Sequence, residues 1–434
     1  MTITIVFNNA RICSGHCAFC TAANEIQYGQ PNAASINDIK HINNSLNNLI
    51  KWDYDNLEKA IINFPGFNDE KNIHFSVWGA DPLTSFDQYV ELYEFCTDVC
   101  KRHGKTASFG GSTNGLAFMV PEWRDWFYDH SSNIRMQLSH DGISNWLRTE
   151  VDTIKLAEPL MESGMINWIS CVMTFYGASP FKNVEFFEEH IPSKLYNNIQ
   201  TRLYTVRDAS YDYIKAINAN GLFMGKQYEQ LKGEPIGDLV IHNDEALANK
   251  YDIFDMAHVA DIYFDEIEQI YKNIDSPRFN PYRNVLIQRL AYNKRKPKIA
   301  GDTMSFQRPW CAQYHLGQRE NSNCIDTLGK FTPCHLYDSD MPIPNPELKK
   351  PERCNQCPYK DCWECNICGS FFLNPNYCQW SYRFNQQMQR LLKQSKYLND
   401  WVRAYTSKDR GHLNNLDPKI VHKTNNTGKC KCKR

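Results

Sequence analysis

The stretch Cys13-Ser14-Gly15-His16-Cys17-Ala18-Phe19-Cys20 decides how this chain is read. It sets three cysteines in a Cys-x3-Cys-x2-Cys run. The run follows Thr2-Ile3-Thr4-Ile5-Val6-Phe7, whose alternating, β-branched residues predict a strand. Three thiolates on one short loop can hold three irons of a 4Fe–4S cube and leave the fourth iron open. An open iron can chelate a small molecule and pass it one electron. The competing reading is zinc, which prefers four closed ligands and would find them in these cysteines plus His16.

Outward from the loop, the pattern alternates. Residues 39–62 carry a helical period, and residues 73–78 read as a strand. Thr84 or Ser85 is placed to cap the next helix, with Asp87 in its first turn. Phe86, Tyr89, Val90, Tyr93, Cys96 and Cys100 form its apolar stripe. Cys96, Cys100 and Cys171 therefore read as buried thiols. Strands are expected at 106–110, 134–139, 166–175 and 199–206, and helices after Pro121, near 151–163 and over 181–189. Strands alternating with helices of this length predict a parallel α/β sheet, here an open partial (β/α)6 TIM-like barrel with its chemistry at the C-terminal strand ends.

Three more segments each follow a predicted strand. They are Gly79-Ala80-Asp81-Pro82, Thr113-Asn114-Gly115, and Ser139-His140-Asp141-Gly142 with Arg148 beyond it. Each alone could be a strand-exit turn. In this order behind the Cys loop, they resemble the radical S-adenosylmethionine (SAM) family. That resemblance implies that Cys13, Cys17 and Cys20 hold a 4Fe–4S cluster whose open iron binds SAM. One electron would then release a 5′-deoxyadenosyl radical. It further implies that Gly79, Ala80 and Asp81 hold the SAM amino group. Ala80 and Asp81 replace the family's Gly and Glu, so the shorter Asp81 arm either reaches SAM through water or only shapes the loop. Thr113 and Asn114 match the Thr-Asn-Gly segment of the subfamily with auxiliary clusters. Ser139 and Asp141 belong to the segment holding the SAM carboxylate or ribose, with Arg148 either assisting or on the surface. Phe19 would shield the cluster and pack near adenine. His140 reads as a spacer.

Nine of the 17 cysteines lie from Cys311 to Cys378. This part resembles the SPASM domain, with residues 326–334 as a small hairpin turning at Gly329. By that resemblance Cys311, Cys324, Cys334 and Cys368 hold one auxiliary 4Fe–4S cluster, and Cys354, Cys357, Cys362 and Cys378 a second. Cys365 is surplus and competes with Cys362. The stretch from Cys311 to Gly329 is longer than the family's. A zinc ribbon from Cys354, Cys357, Cys365 and Cys368 is the alternative. The expected division is a barrel over 1–217, a mainly helical linker over 218–308, an auxiliary-cluster domain over 309–385, and a C-terminal helix with a basic tail over 386–434. Within the linker, 246–274 and 281–293 read as helical and Lys294-Arg-Lys-Pro-Lys298 as a solvated run. Cys430 and Cys432 fall in the tail.

The length of 434 residues suits two or three domains, and 42% hydrophobic and 22% charged residues are ordinary for a globular protein. A net charge of −1 argues against nucleic acid or an anionic membrane as partner. No apolar run is long enough for a membrane span or a signal segment, so a soluble, cytoplasmic protein is expected. So many cysteines in a reducing compartment point to metal. The domain pair implies a peptide or protein substrate, oxidised or crosslinked after hydrogen abstraction, and an electron donor such as flavodoxin or ferredoxin. The first strand starts near Thr2, so no leader-binding domain is expected ahead of it. His335 and Asp338 are candidate proton acceptors, and Arg202, Tyr204 and Arg207 candidate substrate contacts. The alternatives are radical chemistry on a small molecule or nucleotide, and a zinc-containing binding module.

Overall fold

The computed structural model describes residues 1–7, 13–15, 17, 33–79, 81–174, 176–196, 199–205, 235–236, 239–240, 256–273, 324–332, 356, 382–383, 386–387, 389–391 and 393–394. The order of elements is β1 (Thr2–Val6), α1 (Ile36–Leu49), α2 (Tyr54–Ile62), β2 (Asn72–Trp78), α3 (Phe86–Arg102), β3 (Thr106–Thr113), α4 (Pro121–Asp129), β4 (Ile134–Ser139), α5 (Thr153–Glu162), β5 (Ile166–Met173), α6 (Pro180–His190), α7 (Ser193–Tyr196) and β6 (Gln200–Thr205). A two-stranded pair follows, β7 (Pro235–Ile236) and β8 (Leu239–Val240). Then come α8 (Met256–Lys272), β9 (Cys324–Asp326) and β10 (Phe331–Thr332).

Strands β1 to β6 pair in sequence order and all in parallel. Among the described residues β6 pairs only with β5, so the sheet stays open as the partial barrel predicts. Period-two alternation sets its two faces. Ile3, Ile5, Ile73, Phe75, Val77, Ile134, Met136 and Leu138 are buried. Their strand neighbours Thr4, Ser76 and Gln137 are half-buried and polar. The apolar face packs on Leu92, Cys96, Val99, Ile154, Ala157 and Phe187 of the surrounding helices. Each such aliphatic or aromatic burial stabilises the fold by about 1.5–3 kcal/mol.

Two local expectations are corrected. The helical period over 39–62 is two helices, because Ile50 turns extended and the Asp53 side chain accepts from Asn56 N, starting α2 afresh. Trp52 fills the break, edge-on to Phe7 with centroids 5.2 Å apart, its indole donating to Gln88. Neither Thr84 nor Ser85 caps α3 with its side chain. Thr84 Oγ1 instead pairs with Ser14 Oγ at 2.8 Å.

The predicted hairpin at Gly329 is present, but its placement was not foreseen. Strand β9 runs parallel to β1, with Cys324 beside Thr4, and adds itself to the sheet's first edge. At the other side α8 packs on α6, and Glu266 accepts from Ser179 Oγ (2.7 Å) and Phe181 N (2.8 Å) at the start of α6. Arg383 pairs with Asp261 at 2.8 Å, Arg390 pairs with Glu268, and Gln387 donates to Phe264 O. The expected helix over 281–293, the basic run from Lys294, and the domain boundaries at 217 and 308 lie outside the described residues. Among the described residues no helix is long and apolar enough to cross a membrane.

Candidate active-site rim

The C-terminal ends of consecutive parallel strands carry most of the residues singled out above. Cys13 and Cys17 lie beyond β1, Asp81 beyond β2, Thr113 and Asn114 at the end of β3, and Ser139 and Asp141 at the end of β4. Active sites of β/α barrels collect on this face.

Asp81 ties two of these strand ends together. Its Oδ1 accepts from Leu83 N at 3.0 Å, and its Oδ2 accepts from Thr113 Oγ1 at 3.1 Å and Asn114 N at 2.6 Å. These three bonds hold the exits of β2 and β3 in shape. Burial pushes its carboxyl up to about 6, against the pull of those hydrogen bonds and of the Arg148 charge. Gly79 enters the same turn at φ 137, with the Phe7 backbone pressed against it.

Asn114 joins the β3 end to the Cys loop. Its Oδ1 accepts from Leu116 N at 2.9 Å. That fixes the amide so that Nδ2 faces Cys13 Sγ at 3.2 Å and Ser14 Oγ at 3.2 Å. Gly15 N donates to the same sulfur at 3.3 Å. Ala33 N donates to Ser14 O at 3.1 Å, holding the loop against the start of α1.

The β4 end is a second locked unit. Arg148, expected either beside the ligand or on the surface, is buried, and its guanidinium donates to both oxygens of Asp141 at 2.7 and 3.1 Å. Val172 N of β5 donates to Asp141 Oδ1 at 2.9 Å. His140 packs against Phe186 and Phe187, and burial, with the Arg148 and His190 charges, pushes its imidazole down to about 3. Ser139 is half-buried and in register with Ser170. Cys96 and Cys100 are buried free thiols on α3, and Cys171 is a buried free thiol on β5 near the Asp141–Arg148 pair; burial raises all three.

The donors around Cys13 suit a thiolate ligand. Two N–H groups aimed at one buried sulfur stabilise negative charge, as the thiolate of an iron–sulfur or zinc site requires. Among the described residues, no three His, Cys, Asp or Glu are grouped to hold a metal ion. Cys20, His16, Phe19 and Ala80 fall outside those residues. So do Arg207, Cys311, Cys334, His335, Asp338, Cys354, Cys357, Cys362, Cys365, Cys368, Cys378, Cys430 and Cys432. Arg202 and Tyr204 lie on β6. Sequence reading missed Ser14, Thr84 and the Val172 amide. Serine, threonine and backbone groups carry no signature of a long-range partner, so nothing in the chain marked them.

No protein-family model matches the chain, and no curated protein matches it in sequence. Solved structures do resemble it in fold. "Native anSMEcpe with bound AdoMet" superposes with a TM-score of 0.52 at 14% identity, covering 92% of this chain and all of that one. "Native anSMEcpe with bound AdoMet and Cp18Cys peptide" gives 0.51 at 14% identity, covering 92% of this chain and 99% of the other.

Proposed function

We propose that this chain is a radical SAM enzyme that abstracts hydrogen from a peptide or protein substrate. The observation that carries the proposal is the gathering of the Cys13/Cys17 loop, Asp81, Thr113-Asn114 and Ser139 on one rim of an open parallel barrel. Cys13, Cys17 and Cys20 would hold the 4Fe–4S cluster. With cluster and SAM bound, an electron passed to the cluster by an external donor would cleave SAM to methionine and a 5′-deoxyadenosyl radical able to take hydrogen from substrate.

The chain's own residues do the aiming. Asp81 fixes the β2 exit to the β3 exit, so the Gly79 turn and the Asn114 turn move as one body. Asp141 and Arg148 do the same between β4 and β5. Ser139 stands between these two locks with a half-buried hydroxyl, a group suited to a carboxylate or ribose oxygen. The buried apolar faces beneath the rim exclude water from the outer side of the strands.

A peptide substrate is supported by the solved structure of the same fold with bound AdoMet and the Cp18Cys peptide. The cysteine-rich end would hold auxiliary clusters that accept the electron released on oxidation or ligate a substrate thiolate. Cys324, on a strand paired with β1, is suited to bring that end next to the barrel edge.

The test is iron, sulfide and zinc per chain after anaerobic reconstitution, for the wild type and a variant with Cys13, Cys17 and Cys20 all replaced by Ala. About twelve irons falling to about eight, with loss of deoxyadenosine release, supports the whole proposal. About four falling to none, with zinc present, leaves a radical SAM barrel with a structural zinc domain and removes the peptide argument. Iron content that the substitution does not change overturns the site.

A further inference from the structure

We propose that Asn114 is a positioning residue for Cys13, and that its side-chain amide sets how readily the cluster held there takes an electron. The inference rests on the cluster assignment above and adds to it a specific donor.

Asn114 Nδ2 lies 3.2 Å from Cys13 Sγ, although 101 residues separate the two in the chain. The amide is not free to turn away. Leu116 N bonds its oxygen, Asp81 Oδ2 takes its backbone N–H, and Ser14 Oγ takes a second contact from the same Nδ2. Ser14 is itself held by Thr84. Asn114, Ser14, Thr84 and Asp81 are all buried. The approach is also close by construction. A Cβ on Gly15 would stand 2.9 Å from Asn114 Nδ2, so a side chain there would push the amide off the sulfur.

A donor to a ligand sulfur lowers the energy of negative charge on it. The reduced cluster carries one electron more than the oxidised one, so it gains more from the bond, and in a low-dielectric setting the difference is not screened. Asn114 therefore raises the cluster's potential. Gly15 N supplies a second donor from the loop itself. The Asn114 donor comes from the end of β3, so it reports the register between the Cys loop and β3.

The experiment is a redox titration followed by electron paramagnetic resonance on reconstituted wild type, Asn114→Leu and Ser14→Ala. Asn114→Leu should be roughly tenfold harder to reduce, which for one electron is about 59 mV. Ser14→Ala removes the amide's other contact in the loop and should shift the equilibrium less than about twofold, which is roughly 0.4 kcal/mol. An unmoved potential in Asn114→Leu overturns the inference. So does an equal shift in Ser14→Ala, because loop bracing alone would then explain the effect. If Asn114→Leu takes up no iron, the wild type answers. With asparagine carrying heavy nitrogen, pulsed resonance on the reduced cluster should show a nitrogen coupling, and its absence overturns the inference. Normal iron with an unmoved potential defeats only this inference, whereas no iron on the first loop of the wild type defeats the parent reading as well.

Discussion

Asp141 and Arg148 form a buried two-point ion pair, Nε to Oδ2 at 2.7 Å and Nη2 to Oδ1 at 3.1 Å. The same carboxylate takes the backbone N–H of Val172, so one aspartate links the β4 exit, the turn behind it and β5. Removing one partner leaves a buried, uncompensated charge, which costs about 3–5 kcal/mol. Arg148→Met should therefore lower thermal stability sharply. Arg148→Met combined with Asp141→Asn should recover part of that loss, because the orphaned charge is gone. A double-mutant cycle by calorimetry checks this. Strict additivity of the two substitutions would show that the pair is not coupled.

Asp81 predicts an unusual pH dependence. Its folded carboxyl is raised to about 6 from an ordinary 3.8, with burial as the main cause. Between those values the folded chain binds the proton and the unfolded chain does not. The contribution of Asp81 to stability is therefore full below about pH 4 and is lost as pH rises through about 6. Asp81→Asn has no such titration. The melting temperature of wild type minus that of Asp81→Asn should fall as pH goes from 4 to 7. A flat or rising difference would mean that the three hydrogen bonds outweigh burial.

The legible part of this molecule is the part with a period or a spacing. Ile3, Ile5, Ile73, Phe75 and Val77 alternate because one face of a strand must leave water, so their elements were readable within one or two residues. The order of the short segments made the rim readable too. What stayed hidden are relations between parts far apart in sequence. Asn114 was marked as a turn residue, but nothing in its neighbours says that its amide reaches Cys13. Arg148 could be assigned neither to ligand nor to surface, because its partner is an aspartate seven residues earlier across a turn. The break at Ile50 was hidden because Trp52 keeps the apolar period while the backbone leaves the helix. The docking of the hairpin on β1 depends on an edge left open by a sheet that does not close, which is a property of the fold and of no single segment.

Gly79 is where the β2 exit meets the Cys-loop strand. Its φ of 137 is left to glycine, and a Cβ there would stand 2.8 Å from Phe7 Cβ and 2.9 Å from Phe7 O. Phe7 N is meanwhile bonded to Trp78 O at 2.7 Å, so the two strands cannot separate without losing a ladder bond. Gly79→Ala should cost about 1–3 kcal/mol through strain and overpacking. It should also lower iron uptake by the first loop more than Gly104→Ala, a glycine in open space at φ 66. Equal iron uptake in the two variants would detach the Gly79 turn from the loop.

Gly329 sits where the β9–β10 hairpin meets the barrel. It sits at φ 72 in the β9–β10 turn, and a Cβ there would lie 2.4 Å from Asn56 C and 2.6 Å from Asn56 O. Both are backbone atoms at the start of α2, so they cannot rotate aside as a side chain would. Asp53 N donates to Thr327 O at 2.9 Å in the same contact, fixing the turn against the helix N-terminus. Gly329→Ala therefore meets the left-handed strain of about 1–2 kcal/mol together with a steric clash. The cheapest relief is for the hairpin to leave the edge of β1, since it holds there by three register pairs and the sheet β1 to β6 does not need it. Hydrogen exchange followed by mass spectrometry should show peptides covering 324–332 losing protection in the variant, while those covering β3 and β4 keep theirs. Protection lost equally across the sheet would mean that the hairpin is a structural part of the barrel. Protection unchanged at 324–332 would mean that the turn does not bear on α2.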